Sequence, residues 1–356
     1  MINNSFRLRQ VWMIARLQLR RVFFARRSLW VYLLAFFPAI IFIGHGIEVK
    51  IKRERWGGHA VTTPAKLDSV REGDTEEEVI AKAGTPITDQ RFRRRDEEEP
   101  ERRYMRYYDG TRQVNLWFRS GLLVQKSTSN LIDFEEDRQV YAGVFQYFYL
   151  RLAIFFGCLG IFMNLFRGEM MDKTLHFWML TPVRREVLLA GKYLAGLIAA
   201  VVIFTGGALF CFAAMLWPQE TAEVQAFWRD GGASHAFWYA AAAALASLGY
   251  GSVFLAAGLL VRNPIIPAAV LLLWEGINGF LPAVLQKLSV LYYVQSLCPV
   301  PAPMDSDTPA LARMLLAPAE PAPAATAVLG LLAVTALVLW FASRAVTRLE
   351  INYSTD

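Results

Sequence analysis

The chain has 356 residues and a formal net charge of +6; 55% of its residues are apolar and 19% are charged. A soluble domain averages about 45–50% apolar and about 25% charged residues, so this composition excludes an ordinary soluble enzyme. Six nearly uncharged stretches each provide the roughly 20 residues that a membrane-crossing helix needs. The sequence therefore predicts an α-helical polytopic membrane protein with six transmembrane helices, at residues 29–47, 140–166, 187–216, 236–261, 265–286 and 324–344.

The distribution of basic residues predicts how these helices are oriented. Seven arginines precede the first apolar stretch, and the connection 167–186 is also net basic. Cytoplasmic loops carry the excess of Lys and Arg, so both chain ends, including the tail 345–356, are predicted to be cytoplasmic and region 48–139 extracytoplasmic. The loop 287–323 is expected outside, either partly re-entrant or as a loose linker. The basic charge is thus a topology signal, and nucleic acid is not an expected partner.

Residues 1–28 are expected to form an amphipathic helix that lies in the membrane surface. At 100° per residue, apolar side chains that include Trp12 share one face, which is edged by arginines. Such a face suits the boundary between acyl chains and anionic headgroups, so membrane lipid is an expected partner. The alternative is a charged, solvated leader, which would leave Trp12 exposed. The residues assigned to the membrane surface are Arg9, Trp12, Arg16, Arg20 and Arg27.

Residues 48–139 have the composition of a small soluble domain and contain a clear helix signal. Thr75 followed three residues later by Glu78 is a capping box, which marks the start of a short helix. Gly84 and the proline that follows it predict where this helix ends.

Strands are predicted after this helix. Residues 103–108 and 113–118 alternate in character on either side of an Asp-Gly dipeptide at 109–110, which is a strong hairpin-turn signal. A Ser-Gly turn at 120–121 then leads into a third strand. The charged run 91–103 is expected to be a solvated loop, and a specific binding tract is the alternative.

The stretch from Leu67 to Val79, together with Gly84-Thr85-Pro86 and the turn before Leu122, resembles the small BamE/OmlA-like domain of envelope lipoproteins. The resemblance covers residues 62–128 and implies a helix packed on a short antiparallel sheet. It also implies an α+β domain that makes protein contacts in the periplasm. A periplasmic protein is therefore a candidate partner, and the expected location is a bacterial cytoplasmic membrane.

The connection between the second and third predicted spans has the most informative sequence. It is a short amphipathic segment held between two membrane helices. Leu175, Met179 and Leu180 could fill a groove on a partner, while Pro182 enforces a turn.

The same segment resembles the signature of ABC transporter type 2 permeases, in the order Glu169, Thr174-Leu175, Leu180, Pro182-Val183-Arg184-Arg185 and Gly191-Lys192. In that family, six helices and an N-terminal surface helix form half of an exporter, and this loop is the coupling helix that touches the ATPase subunit. The resemblance implies that Glu169 closes the second span and that Thr174–Leu180 is the contact helix. Arg184, Arg185 and Lys192 would flank the start of the third span. An ABC ATPase subunit and a second permease copy are the implied partners.

The chain itself shows no motif for binding ATP. Gly191-Lys192 is not a phosphate-binding loop, because Glu186 stands where the first glycine is required and Tyr193 where Ser or Thr is required. ATP and Mg²⁺ are therefore expected on the partner ATPase, and this chain is expected to be neither an enzyme nor a cofactor carrier. The four histidines and three cysteines have no metal-ligand spacing, so no metal site is predicted.

Two ionisable side chains fall within predicted spans, where each is costly unless it is paired or faces water. Glu275 lies near the middle of the fifth span beside the polar Asn278, and Arg151 lies toward the outer end of the second. One hypothesis places these three residues on a translocation path or at a gate. The other makes Glu275 a structural polar clamp between helices.

Taken together, the resemblance and the residues predict a permease subunit that couples ATP hydrolysis on a separate subunit to export of a substrate. The alternative is an envelope factor in which ATPase motion is relayed to the periplasmic domain without transport. An anchored scaffold with no ATPase would have no use for the segment between the second and third spans. The first two hypotheses differ in whether a hydrophobic or amphiphilic compound stimulates ATP hydrolysis by the purified complex.

Overall fold

The computed structural model describes residues 4–25, 28–57, 62–92, 102–172, 174, 177–178, 180–261, 263, 265–278, 281–301, 303 and 322–348. This part of the chain is mostly helical and contains one small sheet. Within it, five helices are long and apolar enough to cross a membrane: Leu29–Trp56, Phe134–Met171, Arg185–Leu216, Thr221–Leu260 and Ala324–Thr347. The prediction of a helical, multi-pass membrane protein is thus confirmed.

The helices are named in chain order. They are α1 (Asn4–Phe24), α2 (Leu29–Gly57), α3 (Pro64–Asp68), α4 (Glu76–Ala83), α5 (Phe134–Gly143), α6 (Ile154–Met171), α7 (Arg185–Leu216), α8 (Thr221–Phe227), α9 (Ala233–Leu260), α10 (Ile265–Gly276), α11 (Ala283–Gln286), α12 (Val290–Gln295) and α13 (Ala324–Thr347). A wider π-helical stretch, Val144–Ala153, joins α5 to α6, and a kink with non-helical backbone at Asp230 and Gly231 lies between α8 and α9. The chain divides into two compact units, which are Met1–Ile41 with Arg138–Ala213 and Gln225–Asp356, and Phe42–Asp137 with Ala214–Val224.

The fifth predicted span differs from expectation. A single helix was expected over 265–286, but α10 has 12 residues and ends at Gly276. At 1.5 Å per residue it is about 18 Å long, well short of the roughly 30 Å of a hydrocarbon core. The sequence that follows explains the break, because it is rich in glycine and because Pro282 lacks an amide donor and disfavours a helical residue before it.

Small residues let the long helices of the first unit approach closely. A Cβ atom at Gly157 would overlap the ring of Phe204, and one at Gly251 would overlap the ring of Phe162. The aromatic side chains of α6 and α7 therefore occupy the space that these glycines leave. This agrees with the small-residue packing that is typical of membrane helix bundles.

The region 287–323 contains an ordered element among its described residues. The short helix α12 buries Val290, Leu291 and Val294, and its N-cap Ser289 accepts a hydrogen bond from the Tyr292 amide. This part is packed into the first unit instead of forming a loose linker. Residues 304–321 lie outside the described part of the chain, as does the tail after 348.

The second unit contains a four-stranded antiparallel sheet in the order β1 (Thr88–Phe92), β2 (Arg102–Tyr108), β3 (Arg112–Arg119) and β4 (Leu122–Asn130). Met105, Leu116 and Phe118 point from one face of the sheet into a core that α3 and α4 cover. The predicted capping box is present, with the Thr75 hydroxyl accepting from the Glu78 amide and the Glu78 carboxylate accepting from the Thr75 amide. Both predicted turns join neighbouring strands of this sheet.

The two ends of the charged run 91–103 lie in strands, since β1 includes Arg91 and Phe92 and β2 begins at Arg102. Residues 93–101, for which a solvated loop was expected, lie outside the described part. Arg103 is buried and donates two hydrogen bonds to Asp89, at 2.7 and 2.5 Å, and one to Glu76. These hydrogen bonds from Arg103 hold the pKa of the Asp89 carboxyl below its usual value. The arginine therefore fastens β1 to β2 and to α4.

Candidate functional site

A buried ion pair joins the end of α6 to the start of α7. Lys192 is completely buried, and its Nζ lies 2.5 Å from Oε2 of Glu169, which is itself only 6% exposed. The ammonium group also donates to the carbonyl of Leu165. Its remaining surroundings are aromatic, with the ring centroids of Phe166 and Trp178 at 4.5 and 5.9 Å. The Lys192 side chain is thus buried among partners that favour an ammonium group.

Helix α1 completes this cluster with a second set of contacts to the same carboxylate. Gln18 donates from Nε2 to Oε1 of Glu169 at 2.8 Å, and a guanidinium nitrogen of Arg21 lies 3.5 Å from that oxygen. One turn earlier, Ile14 packs against Gly191, where a Cβ would come within 2.7 Å of the Ile14 Cβ. We call Gln18, Glu169 and Lys192 the helix junction, because they connect α1, α6 and α7.

The segment between α6 and α7 leaves directly from the helix junction. The amide of Thr174 donates to the Glu169 carbonyl at 2.9 Å, which ties the segment to the end of α6. Phe177 and Leu180 are 63% and 80% exposed, whereas Trp178 packs inward beside Ile14. The segment therefore presents two large apolar side chains outward from a fixed base. Leu175 and Met179, which were also expected to face a partner, lie outside the described residues.

The exit of this segment carries the predicted turn and the two predicted arginines. Pro182 and Arg184 are exposed, immediately before α7. Arg185 instead points to the end of the last helix, where its guanidinium donates to the carbonyls of Val346 and Thr347 at 3.5 and 3.0 Å. A cation at the C-terminal carbonyls of a helix is favourable, so Arg185 links α7 to α13.

Glu275 lies at the C-terminal end of α10 and is almost fully buried. Its carboxylate accepts a hydrogen bond from the Ser289 hydroxyl and others from the amides of Val290 and Leu291, at 3.1 and 3.5 Å. These amides are the first of α12 and have no partner within their own helix. The carboxylate therefore caps α12 and joins it to α10, which is the geometry of the structural clamp.

The other two residues proposed for a translocation path are not brought into hydrogen-bond contact with Glu275. Asn278 is buried and its Oδ1 has no hydrogen-bond partner in the described structure. Arg151 packs its guanidinium 5.9 Å from the centre of the Tyr147 ring, and its Nε has no partner there either. Both residues keep unsatisfied polar atoms, whereas Glu275 does not.

The N-terminal helix α1 is present and packs on the first unit by one face. Its buried side is formed by Ile14, Ala15 and Gln18, while Trp12 is 54% exposed. The membrane-surface residues Arg9, Arg16 and Arg20 are all exposed on the opposite side, and Arg27 lies outside the described residues. Apolar side chains flank this arginine stripe on both sides, with 65–84% exposure at Leu8, Met13, Leu17 and Phe24.

Two residues of the site were not singled out from the sequence. Lys192 was expected only to flank the third span, although a lone lysine inside an apolar stretch is also a candidate for pairing. Phe177 could have been named beside Leu180 as a second apolar contact residue. Gln18 had no signal, since a glutamine on an arginine-rich helix is ordinary.

Among the described residues, no three His, Cys, Asp or Glu side chains are grouped so that they could hold a metal ion. The helix junction supplies a buried ion pair, and the segment that follows it supplies a hydrogen-bonded connection and exposed apolar side chains. Such an arrangement can hold helices together and bind a partner.

Comparison with known families gives one match. The model of a family described as ABC-2 family transporter protein matches residues 25–262, which is more than half of the chain. Searches of curated proteins and of solved structures found no match. The matched region contains the buried ion pair of Glu169 and Lys192 and the whole of the sheet.

Proposed function

Because the chain belongs to the ABC-2 family of transporter proteins, and so is a membrane permease subunit that works with an ABC ATPase, we propose that it forms half of an exporter. In this proposal the segment Thr174–Leu180 is the coupling helix, and two permease chains combine with two ATPase subunits. ATP and Mg²⁺ bind to the partner. The substrate is exported across the cytoplasmic membrane of a bacterium, and both chain ends lie in the cytoplasm while the sheet lies outside.

The coupling assignment rests on one observation, which is that the helix junction lies beside the exposed apolar side chains of Phe177 and Leu180. Phe177 and Leu180 project from a segment whose start is hydrogen-bonded to Glu169. Glu169 is in turn bound to α7 through Lys192 and to α1 through Gln18. A partner that moves the apolar pair therefore acts on three helices through short, buried contacts. Rigid-body movement of packed elements is a common way in which such a signal is passed on.

The arrangement of polar residues supports different roles for the three proposed path residues. Glu275 has its hydrogen bonds satisfied by α12, which supports a structural role. Asn278 and Arg151 each keep a buried polar atom without a partner in the described structure. Buried polar atoms are seldom left unpaired in a stable fold. We therefore assign Asn278 and Arg151, and not Glu275, as the better candidates for contact with a transported substrate.

The envelope-factor alternative has one observation in its favour. Trp56, in the last turn of α2, packs on the sheet of the second unit, 5.5 Å from Tyr108 and beneath the guanidinium of Arg106. The helix that contains the first span thus ends in direct contact with the sheet. ATP hydrolysis that no amphiphilic compound stimulates would favour this alternative over export.

The coupling assignment is tested by placing charge on the exposed pair. With Phe177→Asp and Leu180→Asp together, the ATPase should no longer co-purify with the chain, because an unpaired carboxylate buried in an apolar interface costs several kcal/mol. An apolar anchor of an interface typically contributes about 2 kcal/mol or more, so two should lower the affinity at least about 100-fold. Co-purification and ATP hydrolysis by the complex in lipid nanodiscs are the measurements.

The matched control introduces two carboxylates in place of apolar side chains elsewhere on the chain. Phe92 and Val124 are about half exposed on the sheet, so Phe92→Asp with Val124→Asp alters hydropathy and net charge similarly without touching the segment. This control should keep the ATPase bound. If the Phe177 and Leu180 variant also keeps it bound at wild-type affinity, the ATPase contact lies elsewhere and the coupling assignment is wrong.

A further inference from the structure

A groove of about 680 Å³ lies beside the helix junction, between α1 and one face of α6. Helix α1 supplies Leu17, Arg20, Arg21 and Phe24, and the beginning of α2 supplies Val31. Helix α6 contributes residues that recur on one side of the helix: Gly160, Ile161, Asn164, Leu165, Gly168 and Glu169, with Asp172 just beyond its end. The groove is partly open to the surroundings.

The chemistry of the groove changes from one end to the other. Arg21 contacts Glu169 and therefore lies with its neighbour Arg20 and with Asp172 at the end where α6 stops. At the other end, the ring of Trp30 packs against Gly160, which places the neighbouring Val31 and Ile161 there. Gly160 and Asp172 are 12 residues apart, which corresponds to about 18 Å along a helix. Half of a hydrocarbon core is about 15 Å thick. The groove thus has a charged end and an apolar end separated by roughly the thickness of one leaflet.

The charged end favours an anion. Glu169 is neutralised by Lys192, so the remaining charges there are Arg20 and Arg21 against Asp172, a net value of +1. Arg20 forms no ion pair within the described structure. Arg21 makes one contact of 3.5 Å to Glu169 and is otherwise exposed, which leaves most of its guanidinium N–H groups available. Two adjacent guanidinium groups are well suited to the oxygens of a phosphate.

We propose that this groove binds one anionic glycerophospholipid, with the phosphate at Arg20 and Arg21 and an acyl chain along Leu165, Ile161 and Val31. The occupant combines a phosphate with a chain of leaflet length, and both features match the groove. A bound lipid of this kind would fill the space between α1 and α6 next to the helix junction. The site goes beyond the proposed coupling function and does not require that the ATPase contact be correct.

The first test compares lipids on the purified full-length chain in detergent. Native mass spectrometry would count bound dioleoyl-phosphatidylglycerol, dioleoyl-phosphatidylcholine and glycerol 3-phosphate. One phosphatidylglycerol should bind at least about tenfold more tightly than phosphatidylcholine, since the charged end carries a net positive charge. Glycerol 3-phosphate should not bind measurably, because it lacks the chain. Equal binding of the two lipids, or equal binding of glycerol 3-phosphate, would overturn the proposal.

The second test changes the groove at each end. Arg20→Gln with Arg21→Gln should weaken phosphatidylglycerol binding about tenfold or more. Arg9→Gln with Arg16→Gln removes the same charge from the same helix outside the groove, and should change binding less than about twofold. An equal effect of both pairs would mean general attraction to the membrane surface and would contradict a defined site.

A third variant keeps every charge in place, so that indirect effects through Glu169 are excluded. Gly168 lines the groove, and a Cβ added there would come no closer than 3.7 Å to its neighbour Asn164. Gly168→Leu should fill the groove and displace the lipid. Gly206→Leu introduces the same side chain in α7, where a Cβ meets nothing within 4 Å, and should leave binding unchanged. A folded Gly168→Leu chain that binds phosphatidylglycerol normally would refute the assignment of the groove.

Discussion

Removing both charges of the Glu169–Lys192 ion pair should destabilise the protein no more than the more costly of the two single removals. Lys192→Met keeps the length of the side chain and removes the ammonium, and Glu169→Gln keeps the shape of the carboxylate and removes its charge. Removing one partner of a buried ion pair typically costs about 3–5 kcal/mol, because the other charge stays buried without compensation. The two single variants should not lose the same free energy of unfolding, because the charge that each one leaves unpaired lies in different surroundings.

The magnitudes follow from what each orphaned group retains. In Lys192→Met, Glu169 keeps the Gln18 amide at 2.8 Å and Arg21 at 3.5 Å, so the cost should be about 3 kcal/mol. In Glu169→Gln, the completely buried Lys192 keeps only the Leu165 carbonyl, an amide oxygen and two aromatic rings. This cost should be nearer about 5 kcal/mol. The double variant should be no worse than the worse single one, which gives a coupling of about 3 kcal/mol.

The free energy of unfolding can be measured by titrating the purified protein from mild detergent into SDS and following helix content by circular dichroism. Thr335→Val is a suitable control, because this buried hydroxyl in α13 has no hydrogen-bond partner in the described structure. Its removal should be neutral or stabilising. Single variants that each cost less than about 1 kcal/mol, or effects that add within about 0.5 kcal/mol, would refute the role assigned to the ion pair.

Two further predictions concern the other polar clusters. Glu275→Gln should retain the cap of α12 and nearly wild-type thermal stability, while Glu275→Leu should lower the melting temperature in detergent; a silent Glu275→Leu would contradict the clamp. Hydrogen bonds from Arg103 lower the pKa of Asp89 in the folded state, whereas an aspartate in the unfolded chain has a pKa of about 3.9. The stabilisation that the ionised Asp89 contributes is therefore complete above about pH 3.9 and is lost as the pH falls through the folded pKa. Asp89→Asn should therefore speed hydrogen–deuterium exchange of β1 and β2 at pH 7, and the difference from wild type at the same pH should shrink as the pH falls through the folded pKa of Asp89. The exposed Asp68→Asn should not change this exchange, and a difference for Asp89→Asn that persists unchanged at low pH would be inconsistent with this account.

Local signals in the sequence predicted local structure well. The capping box at Thr75 and the turns at 109–110 and 120–121 depend on residues within four positions of one another, and all three are present. Strand β1 could not be found in this way, because four of its five residues are exposed and it shows no apolar alternation. Its position depends on Arg103, which lies 14 residues further along the chain.

The candidate site shows the same division between local and distant causes. Glu169 was identified from its place in the segment, but its partner Lys192 is on another helix and Gln18 is 151 residues away. The packed face of α1 was not predicted, because this helix has apolar side chains on both sides of its arginine stripe and its sequence alone cannot select between them. Contact with Gly191 makes the selection, since only a residue without a Cβ lets Ile14 approach.

Through Arg185, a small displacement of the segment between α6 and α7 also reaches α13. The stretch from Glu169 to Lys192 includes the end of α6 and the start of α7. It contacts α1 through Gln18 and α13 through the carbonyls of Val346 and Thr347. Four helices from the beginning, middle and end of the chain therefore meet at one short stretch. A protein bound to a patch of only a few side chains could shift all four together, with no need for a broad interface. By the same geometry, a fusion or truncation that removes Val346 and Thr347 would release α13 from this group while leaving the other three connected.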